Sequence, residues 1–293
     1  MGLCRTVILT AIPAALGALN GGCAAPAPFR VMSFNIRYGT ADDGPNRWEA
    51  RRELAFQAIR DQQPDVLGLQ EVLAPQAAEL RDALQDYGFV GVGRDDGREK
   101  GEFVPIFYRK SKFTLVDSGH FWFSETPERP GSVGWDAALP RMATWVRLRF
   151  KEALFADLTV VNLHLDHEGE KARLESAKMV SRLVESLGGK PVIVLGDFNC
   201  APGSAPYRAL LRDCGSPAAL TDTQPNDKTP GVGGTYHAFT GQPRGGRIDW
   251  ILINRRCKAV DADVDRRKHD GRYPSDHFPV TATVQLAAGA AGT

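Results

Sequence analysis

The chain has 293 residues, of which 43% are hydrophobic and 24% charged, a composition typical of a globular protein with a sizeable core. Its 36 basic and 35 acidic residues leave a net charge of +1, which excludes a broad basic surface for tight nonspecific binding of nucleic acid. A small substrate, or one held by a metal ion and a few local arginines, fits this balance.

The N-terminus is predicted to be an export signal covering residues 1–25, because a basic residue precedes an apolar run at 6–19. This run is too short, and too interrupted by proline and glycine, for a typical transmembrane helix. Cys23 is either the lipidated first residue of a lipoprotein, or it is removed by ordinary signal cleavage near Ala25 or Ala27. A third alternative is an apolar helix that is retained in the mature fold.

From residue 29 onward, apolar runs with strand character alternate with helical patterns, without repeats or low-complexity tracts. In chain order, the sequence predicts strand 29–34, helix 47–62, strand 65–69, helix 75–85, strands 104–108, 113–116, 144–150 and 154–163, helix 168–187, and strands 191–195, 248–253 and 278–286. Asn46 and Glu49 are predicted to cap the first helix. Many strands with interspersed helices, and no central linker, favour one layered α/β domain over residues 29–288.

Three cysteines, Cys200, Cys214 and Cys257, follow the signal. An oxidising compartment would permit a disulfide between Cys200 and Cys214, and three buried thiols are the alternative. Their spacing matches no zinc knuckle, so a zinc site is not expected.

Polar residues directly follow several of the predicted strands: Asn35, Glu71, His164, Asp197 and Asn199. Strand ends are rigid platforms, and several that open on one edge form a site. Asp197 and Asn199 are two residues apart on an extended segment, so their side chains face the same side. A carboxylate and an amide placed together suit the activation and positioning of a water molecule, with an Asx turn as the structural alternative.

A second group of polar residues lies near the C-terminus. Asp249 begins an apolar strand and needs a partner if it is buried. Asp276 and His277 enter the last strand and point in opposite directions. A pair formed by Asp249 and His277 would fix the imidazole tautomer and raise its basicity, with a lone surface histidine as the alternative.

Oxygen ligands dominate these polar groups, and the sequence offers no clustered thiolates. This favours Mg²⁺ or Mn²⁺ over zinc. A hard cation beside a water-activating aspartate and two histidines suits the hydrolysis of a phosphate ester.

Six motifs carry a resemblance to a known family. The chain resembles the endonuclease/exonuclease/phosphatase superfamily, which is deoxyribonuclease I-like. The motifs that carry the resemblance follow the order of that superfamily: SFNIR at 33–37, LQE at 69–71, NLHLDH at 162–167, GDFN at 196–199, RIDWIL at 247–252 and PSDHFPV at 274–280. FWFSETPE, GWDAALPR and GTYHAF resemble its bacterial branch of short single-domain members. The resemblance implies a four-layer α/β sandwich (α+β), with two mixed β-sheets packed face to face and helices outside.

The resemblance also implies roles for individual residues. It implies metal ligation by Asn35, Glu71 and Asp276, and catalysis by His164, Asp197, Asn199, Asp249 and His277. In these roles, Asp197 would orient or deprotonate the attacking water and Asn199 would help to position the phosphate. His277 would bind a phosphate oxygen or act as a base.

His164 matches a second histidine of the deoxyribonuclease I and sphingomyelinase branches, where it contacts the phosphate. In those branches it pairs with an acid six residues before a tyrosine. Glu102 and Tyr108 have this spacing, so the resemblance implies that Glu102 supports His164 from behind, with Tyr108 close by.

Arginines and aromatic residues are candidates for contact with the substrate. Arg37, Arg141 and Arg247 are candidates because a guanidinium matches phosphate oxygens bidentately, with ordinary surface pairing as the alternative. The aromatic residues at 121–123 and Trp135 are either a lip that stacks a base or sugar, or internal packing.

Three functions remain open from the sequence. The first is an exported phosphodiesterase or nuclease that scavenges phosphate or nucleotides, and the second is a hydrolase of phospholipid or inositol-phosphate headgroups. The third is a non-catalytic binding module, which the complete set of acids and histidines disfavours. For either enzyme we expect in-line attack of water on phosphorus, a monomer, and membrane contact only through a lipid on Cys23.

Overall fold

The computed structural model describes residues 26–153, 156–211, 219–224 and 233–287. The predicted export signal at residues 1–25, with Cys23, and the predicted disulfide partner Cys214 lie outside the described residues. Within those ranges, every helix falls short of the length and hydrophobicity that a bilayer crossing requires.

The strands of the described residues form two six-stranded sheets. In spatial order, the first sheet contains β11 (Cys257–Val264), β12 (Val280–Leu286), β1 (Phe29–Asn35), β2 (Val66–Gln70), β4 (Ile106–Arg109) and β3 (Tyr87–Val90). The second sheet contains β5 (Phe113–Trp122), β6 (Met142–Phe150), β7 (Asp157–His164), β8 (Val192–Asp197), β10 (Asp249–Asn254) and β9 (Leu220–Asp222). Both sheets are mixed, since β1 pairs with β2 and β7 with β8 in parallel, while the other neighbours are antiparallel.

The described helices are α1 (Trp48–Gln62), α2 (Ala74–Ala83), α3 (Glu170–Ser186) and α4 (Ala205–Leu210). One hydrophobic cluster combines side chains of β1, β2 and β12 with those of β6, β7, β8 and β10, so it lies between the sheets. A second packs α1 and α2 on the outer face of the first sheet, and a third packs α3 and α4 on the outer face of the second. Helix, sheet, sheet and helix layers confirm the predicted four-layer sandwich.

The register of the strands explains why polar residues meet at one edge. β1 and β2 end together because Asn35 pairs with Gln70, and β7 and β8 end together because His164 pairs with Asp197. Asp249, the first residue of the antiparallel β10, lies opposite Asp197. The segment before β12 enters from the same edge, because β12 runs antiparallel to β1.

A buried polar bridge joins the two sheets beneath this edge. Gln70 Nε2 donates to Asn162 Oδ1 at 2.7 Å and to Ser33 Oγ at 3.3 Å. Gly68 leaves room for the opposite sheet, because a Cβ atom there would overlap the Leu195 side chain. The bridge and the close approach fix the sheets relative to one another.

The predicted cap of the first helix is wrong. Asn46 ends a 3₁₀ turn at Gly44–Asn46, and α1 begins after Arg47 without a side-chain capping bond. The backbone oxygen of Asn46 instead accepts a hydrogen bond from Arg51 Nε at 2.8 Å.

Other differences from the sequence prediction lie at the edges of the sheets. β5 extends to Trp122 because it pairs with β6 along its whole length. β3, β9, β11 and α4 are not predicted, because they are short or partly exposed and lack a long apolar pattern. β7 begins at Asp157, and residues 154–155 of the predicted strand lie outside the described ranges.

Candidate active site

The strand ends surround a cleft of about 610 Å³. Its lining includes nine residues predicted from the sequence: Arg37, Glu71, Glu102, Arg141, His164, Asp197, Asn199, Asp276 and His277. Asn35 and Asp249 are fully buried behind this lining and hydrogen-bonded to it. The structure therefore brings together eleven of the thirteen predicted site residues, all except Tyr108 and Arg247.

Asn35 joins the carboxylates of the two sheets. Its Nδ2 donates to Glu71 Oε1 and to Asp197 Oδ2, each at 3.0 Å. Its Oδ1 accepts from the backbone N–H of Arg37 at 3.0 Å. The amide nitrogen therefore orients the two carboxylates, and because the oxygen keeps a second lone pair, the predicted metal ligation by Asn35 stays a prediction.

Glu71 and Asp276 are the carboxylates that fit a divalent cation. Tyr38 N donates to Glu71 Oε2 at 3.1 Å, and Ser275 Oγ donates to Asp276 Oδ1 at 3.2 Å. Burial, with the neighbouring charge of Glu71, raises the pKa of Asp276. The two carboxylates are hard oxygen donors, and their negative charges repel one another. Binding of Mg²⁺ or Mn²⁺ between them would offset this repulsion.

A dyad of His277 and Asp249 crosses from one sheet to the other. His277 Nδ1 donates to Asp249 Oδ2 at 2.9 Å, and His277 Nε2 lies 3.9 Å from Asp197 Oδ2. Burial alone would lower the pKa of His277, but Asp249 and Asp197 hold it well above its ordinary value. The predicted Asp249–His277 pair is thus present, and the two carboxylates favour the protonated form of its histidine.

Asp197 occupies the centre of the cleft. Burial and the Asp249 carboxylate raise the pKa of Asp197 to about 7. Asp197, Asp249 and His277 each offer a ligand atom within 4.8 Å of the others. We assign this group to catalysis, because the hydrogen bond within the dyad engages two of its members and a carboxyl group with a pKa near 7 suits a general base.

His164 differs from His277 in its charge. Its Nε2 lies 3.7 Å from Asp197 Oδ2. Burial, together with the positive charges of Arg141 and Arg94, lowers the pKa of His164 well below its ordinary value. At neutral pH this imidazole is therefore neutral.

The predicted support of His164 is only partly present. Glu102 Oε2 is 3.8 Å from His164 Nδ1, too far for a hydrogen bond, and accepts instead from Arg94 Nη1 at 2.8 Å. Tyr108 is not part of the cleft, because its ring lies against Gly88 on the neighbouring strand β3.

Strained backbone accompanies the lining residues. Arg37, Glu71 and Asn199 have φ values of 60°, 60° and 49°, in the left-handed region. Asn199 N donates to Asp197 Oδ1 at 2.9 Å, so the predicted Asx turn exists, and its Nδ2 donates to Leu165 O at 3.0 Å. Such strain persists only where the surrounding structure holds it, which is common at functional sites.

The three predicted phosphate-binding arginines separate into two groups. Arg37, which forms two hydrogen bonds of 3.1 Å with Asp43, and Arg141 line the cleft. Arg247 is buried outside the lining, where it binds Asp222 at 2.6 Å, so the prediction for Arg247 is wrong. The aromatic residues at 121–123 and Trp135 pack internally and do not line the cleft.

Sequence reasoning missed Arg51, which fixes the loops of the site. Arg51 is 1% exposed and donates to Ile36 O at 2.6 Å and Pro274 O at 3.0 Å. Its position on the buried stripe of α1, between Trp48 and Ala55, was the available signal.

Comparison with known proteins supports the geometry. A family model described as the Endonuclease/Exonuclease/phosphatase family matches residues 32–277. A family protein from Bacteroides thetaiotaomicron is 34% identical, with a TM-score of 0.83 over 92% of this chain and 99% of that chain. The mannosyl-6-phosphatase Bt3783 of the same organism is 35% identical, with a TM-score of 0.79 over 87% and 99%.

Curated relatives are more distant. The CCR4-Not complex 3'-5'-exoribonuclease subunit Ccr4 of Aspergillus niger is 25% identical over 61% of this chain and 34% of its own length. The chain spans from about a third to about two thirds of the length of the curated relatives that it matches. The family model and the close structural neighbours together show that the chain belongs to the endonuclease/exonuclease/phosphatase family of phosphate-ester hydrolases.

Proposed function

We propose that the protein hydrolyses a small phosphate ester in the presence of Mg²⁺ or Mn²⁺, by in-line attack of water on phosphorus without a covalent intermediate. The observation that carries this proposal is Asp197 itself. It lies beside a cationic His277 and a neutral His164, and shares the Asn35 amide with Glu71. A water-activating group therefore adjoins both donors for the phosphate and carboxylates for a cation.

Glu71 and Asp276 would hold the metal ion, which supplies Lewis-acid polarisation of the phosphate when bound. Asn35 keeps the Glu71 and Asp197 carboxylates in a fixed relation. Since both of these acids are held by the same amide, the water-activating group and the metal-binding group keep their spacing during the reaction.

In this proposal Asp197 accepts a proton from the attacking water, since its pKa of about 7 lets it exist as a base near neutral pH. His277 donates its Nε2–H to a phosphate oxygen as charge develops there, while Asp249 accepts the Nδ1–H and holds the ring in this orientation. The neutral His164 offers one N–H as a hydrogen-bond donor on the other side of Asp197.

The substrate we favour is a sugar phosphate or a phosphate ester of similar size. Two observations support it: the similarity to a mannosyl-6-phosphatase over most of both chains, and a cleft of about 610 Å³. The more distant Ccr4 relatives make RNA the principal competing substrate.

A hydrolysis panel tests the proposal. Mannose 6-phosphate, glucose 6-phosphate, an RNA oligonucleotide, sphingomyelin and an inositol phosphate would be incubated with purified protein, with Mg²⁺ and with excess chelator. We expect metal-dependent release of phosphate from the sugar phosphates and about 10²–10³-fold slower turnover by Asp197→Ala. Full activity in chelator, or in Asp197→Ala, would contradict the mechanism, and cleavage of RNA alone would contradict the substrate.

We also propose that the protein is exported and anchored through Cys23, a proposal that depends entirely on the sequence of residues 1–25. Cys23→Ser is expected to move the protein from the membrane fraction to the soluble fraction after expression in a bacterium. Unchanged membrane retention would exclude the lipid anchor.

A further inference from the structure

Two arginines in the cleft wall have buried nitrogens that form no hydrogen bond with any described residue. Arg141 lies directly before β6 with a side chain that is 5% exposed, and Arg94 lies in the loop after β3 with a side chain that is 11% exposed. Both line the cleft, and both charges act on His164. They therefore lie on the His164 side of the reaction centre.

Arg141 is held on two of its three nitrogens. Its Nε donates to Asp166 Oδ2 at 3.3 Å, and its Nη2 donates to His167 Nδ1 at 2.8 Å. Its Nη1 is buried and has no hydrogen-bond partner in the part of the chain that the structure describes. Since buried N–H groups are almost always paired, this one calls for an occupant.

Arg94 shows the same pattern. Its Nη1 donates to Glu102 Oε2 at 2.8 Å, and its backbone oxygen accepts from Trp122 Nε1 at 2.6 Å, so the residue is fixed at both ends. Its Nε is buried and also lacks a hydrogen-bond partner among the described residues. Glu102 is thus engaged by Arg94, while the Arg94 Nε lies 3.8 Å from Asp95 Oδ1, beyond hydrogen-bonding distance.

We propose that Arg94 and Arg141 form an anion-binding wall that receives the terminal phosphate of a phosphomonoester, and that this wall selects monoesters over diesters. The inference rests on the proposed function, and it names the class of phosphate that the same cleft accepts.

The chemistry of the two ester classes supports this assignment. At neutral pH a terminal phosphate carries a charge of about −1.5 to −2 on three oxygens, whereas a diester carries one charge on two. Two fixed guanidiniums, each with a planar fork of donors, stabilise the doubly charged group more strongly. Since a diester has a second ester substituent in place of one of these oxygens, it gives the wall fewer acceptors.

Asp166 is a positioning residue for this wall. It is 1% exposed, and its Oδ1 accepts from Glu168 N at 3.0 Å and Gly169 N at 2.7 Å. Its Oδ2 binds Arg141 Nε. The carboxylate therefore ties Arg141 to the turn that precedes α3.

The test compares two substrates with the same chromophore, p-nitrophenyl phosphate and bis-p-nitrophenyl phosphate, at saturating Mg²⁺. For Arg94→Met and Arg141→Met we expect kcat/KM to fall by about 10²-fold on the monoester and by less than about 10-fold on the diester. Asp166→Asn should shift this ratio in the same direction, through KM more than kcat, whereas general structural damage would lower both substrates equally. Arg149→Met is the matched control, because Arg149 lies at the far end of β6 and pairs with Asp157 at 2.7 Å.

Calorimetric binding of inorganic phosphate provides a readout that does not need turnover. We expect the Arg94 and Arg141 variants to bind phosphate at least about 10-fold more weakly, and Arg149→Met to bind it as the wild type does. Arg94→Lys and Arg141→Lys replace the methionine variants if thermal melting shows that these are unfolded, since lysine keeps the charge and loses the fork.

Equal losses on both substrates would overturn the selection of monoesters, and unchanged kinetics and phosphate binding would overturn the wall itself. If the wild type hydrolyses neither these two substrates nor the sugar phosphates of the hydrolysis panel, the proposed function fails, and the phosphate titration alone then decides whether the wall exists.

Discussion

The two sheets contribute unlike chemistry to one cleft. The first sheet supplies Asn35 and Glu71, with Asp276 before its strand β12, an arrangement of acids and an amide that fits a cation. The second sheet supplies His164 and Asp197, the groups that we propose act on water and phosphate. In the proposed mechanism, metal binding and proton transfer are thus separated by strand topology, and hydrogen bonds that join the two sides include Asn35 with Asp197 and His277 with Asp249.

The site residues supplied by each sheet are called the first-sheet half and the second-sheet half of the site. The largest loss of activity should come from a substitution in the second-sheet half. Asp249→Asn keeps the shape of the side chain but removes the charge that holds His277 as a cation, so we expect kcat to fall by about 10²–10³-fold. The Mg²⁺ concentration for half-maximal rate should stay unchanged. Steady-state kinetics against Mg²⁺ measure both quantities, and Asp157→Asn, an acid paired with Arg149 at the other end of β7, is the matched control.

The first-sheet half should respond in the opposite way. Glu71→Gln removes a charged oxygen ligand, so we expect the Mg²⁺ requirement to rise by about 10–100-fold, with much of kcat recovered at high Mg²⁺. Calorimetric titration of Mg²⁺ checks the binding step directly. A loss of kcat that no Mg²⁺ concentration restores would show that the two halves are not chemically separate.

The spacing between the halves can be tested through stability. Gly68→Ala places a methyl group against Leu195 and Asn162 between the sheets, so we expect the free energy of unfolding to fall by about 1–3 kcal/mol. Denaturant unfolding measures this change. The control is Ala177→Gly in α3, which measures the general cost of altering a small residue. Gly188→Ala would not serve as a control, because Gly188 has a positive φ.

The smallest effect concerns acid sensitivity of the first-sheet half. His237 donates its backbone N–H to Asp276 O at 2.8 Å, and burial lowers the pKa of its side chain to about 4. The His237 imidazole therefore takes up a proton near pH 6.5 in the unfolded chain but only near pH 4 in the folded chain. The free energy of unfolding falls as the pH is lowered from about 6.5 to about 4. We expect a loss of roughly 1 kcal/mol between about pH 7 and 5.5 that His237→Gln abolishes, as measured by denaturant unfolding at each pH.

The strands and the edge that carries the cleft could be predicted from the sequence, because they follow from local patterns. Val192–Asp197 is buried at all six positions, and its apolar run ends in polar residues. Polar residues at the end of such a buried strand indicate a functional role. This pattern indicated Asp197 and Asn199 as a pair, whereas the meeting of Asp197 with Glu71 was implied by the family resemblance.

Side-chain partners were less predictable, because they depend on contacts between distant segments. The family resemblance, through the spacing of Glu102 and Tyr108, paired Glu102 with His164, but Arg94 lies nearer to Glu102 and takes the hydrogen bond. Arg247 follows the motif pattern as well as Arg141 does, yet the fold turns it towards Asp222. A charged residue on an apolar stripe, as at Arg51, is the kind of local signal that does predict a buried role.

The Gln70–Asn162 bridge has a consequence for how this enzyme could change over time. Each sheet holds its own set of site residues in a fixed arrangement. Substitutions in the layer between the sheets would therefore move one set relative to the other without altering any reacting group. Leu195, which meets Gly68 in that layer, is fully buried and does not line the cleft. We therefore expect that substitutions of buried residues can change the width of the cleft, and with it the substrate preference, while the acids and histidines are unchanged.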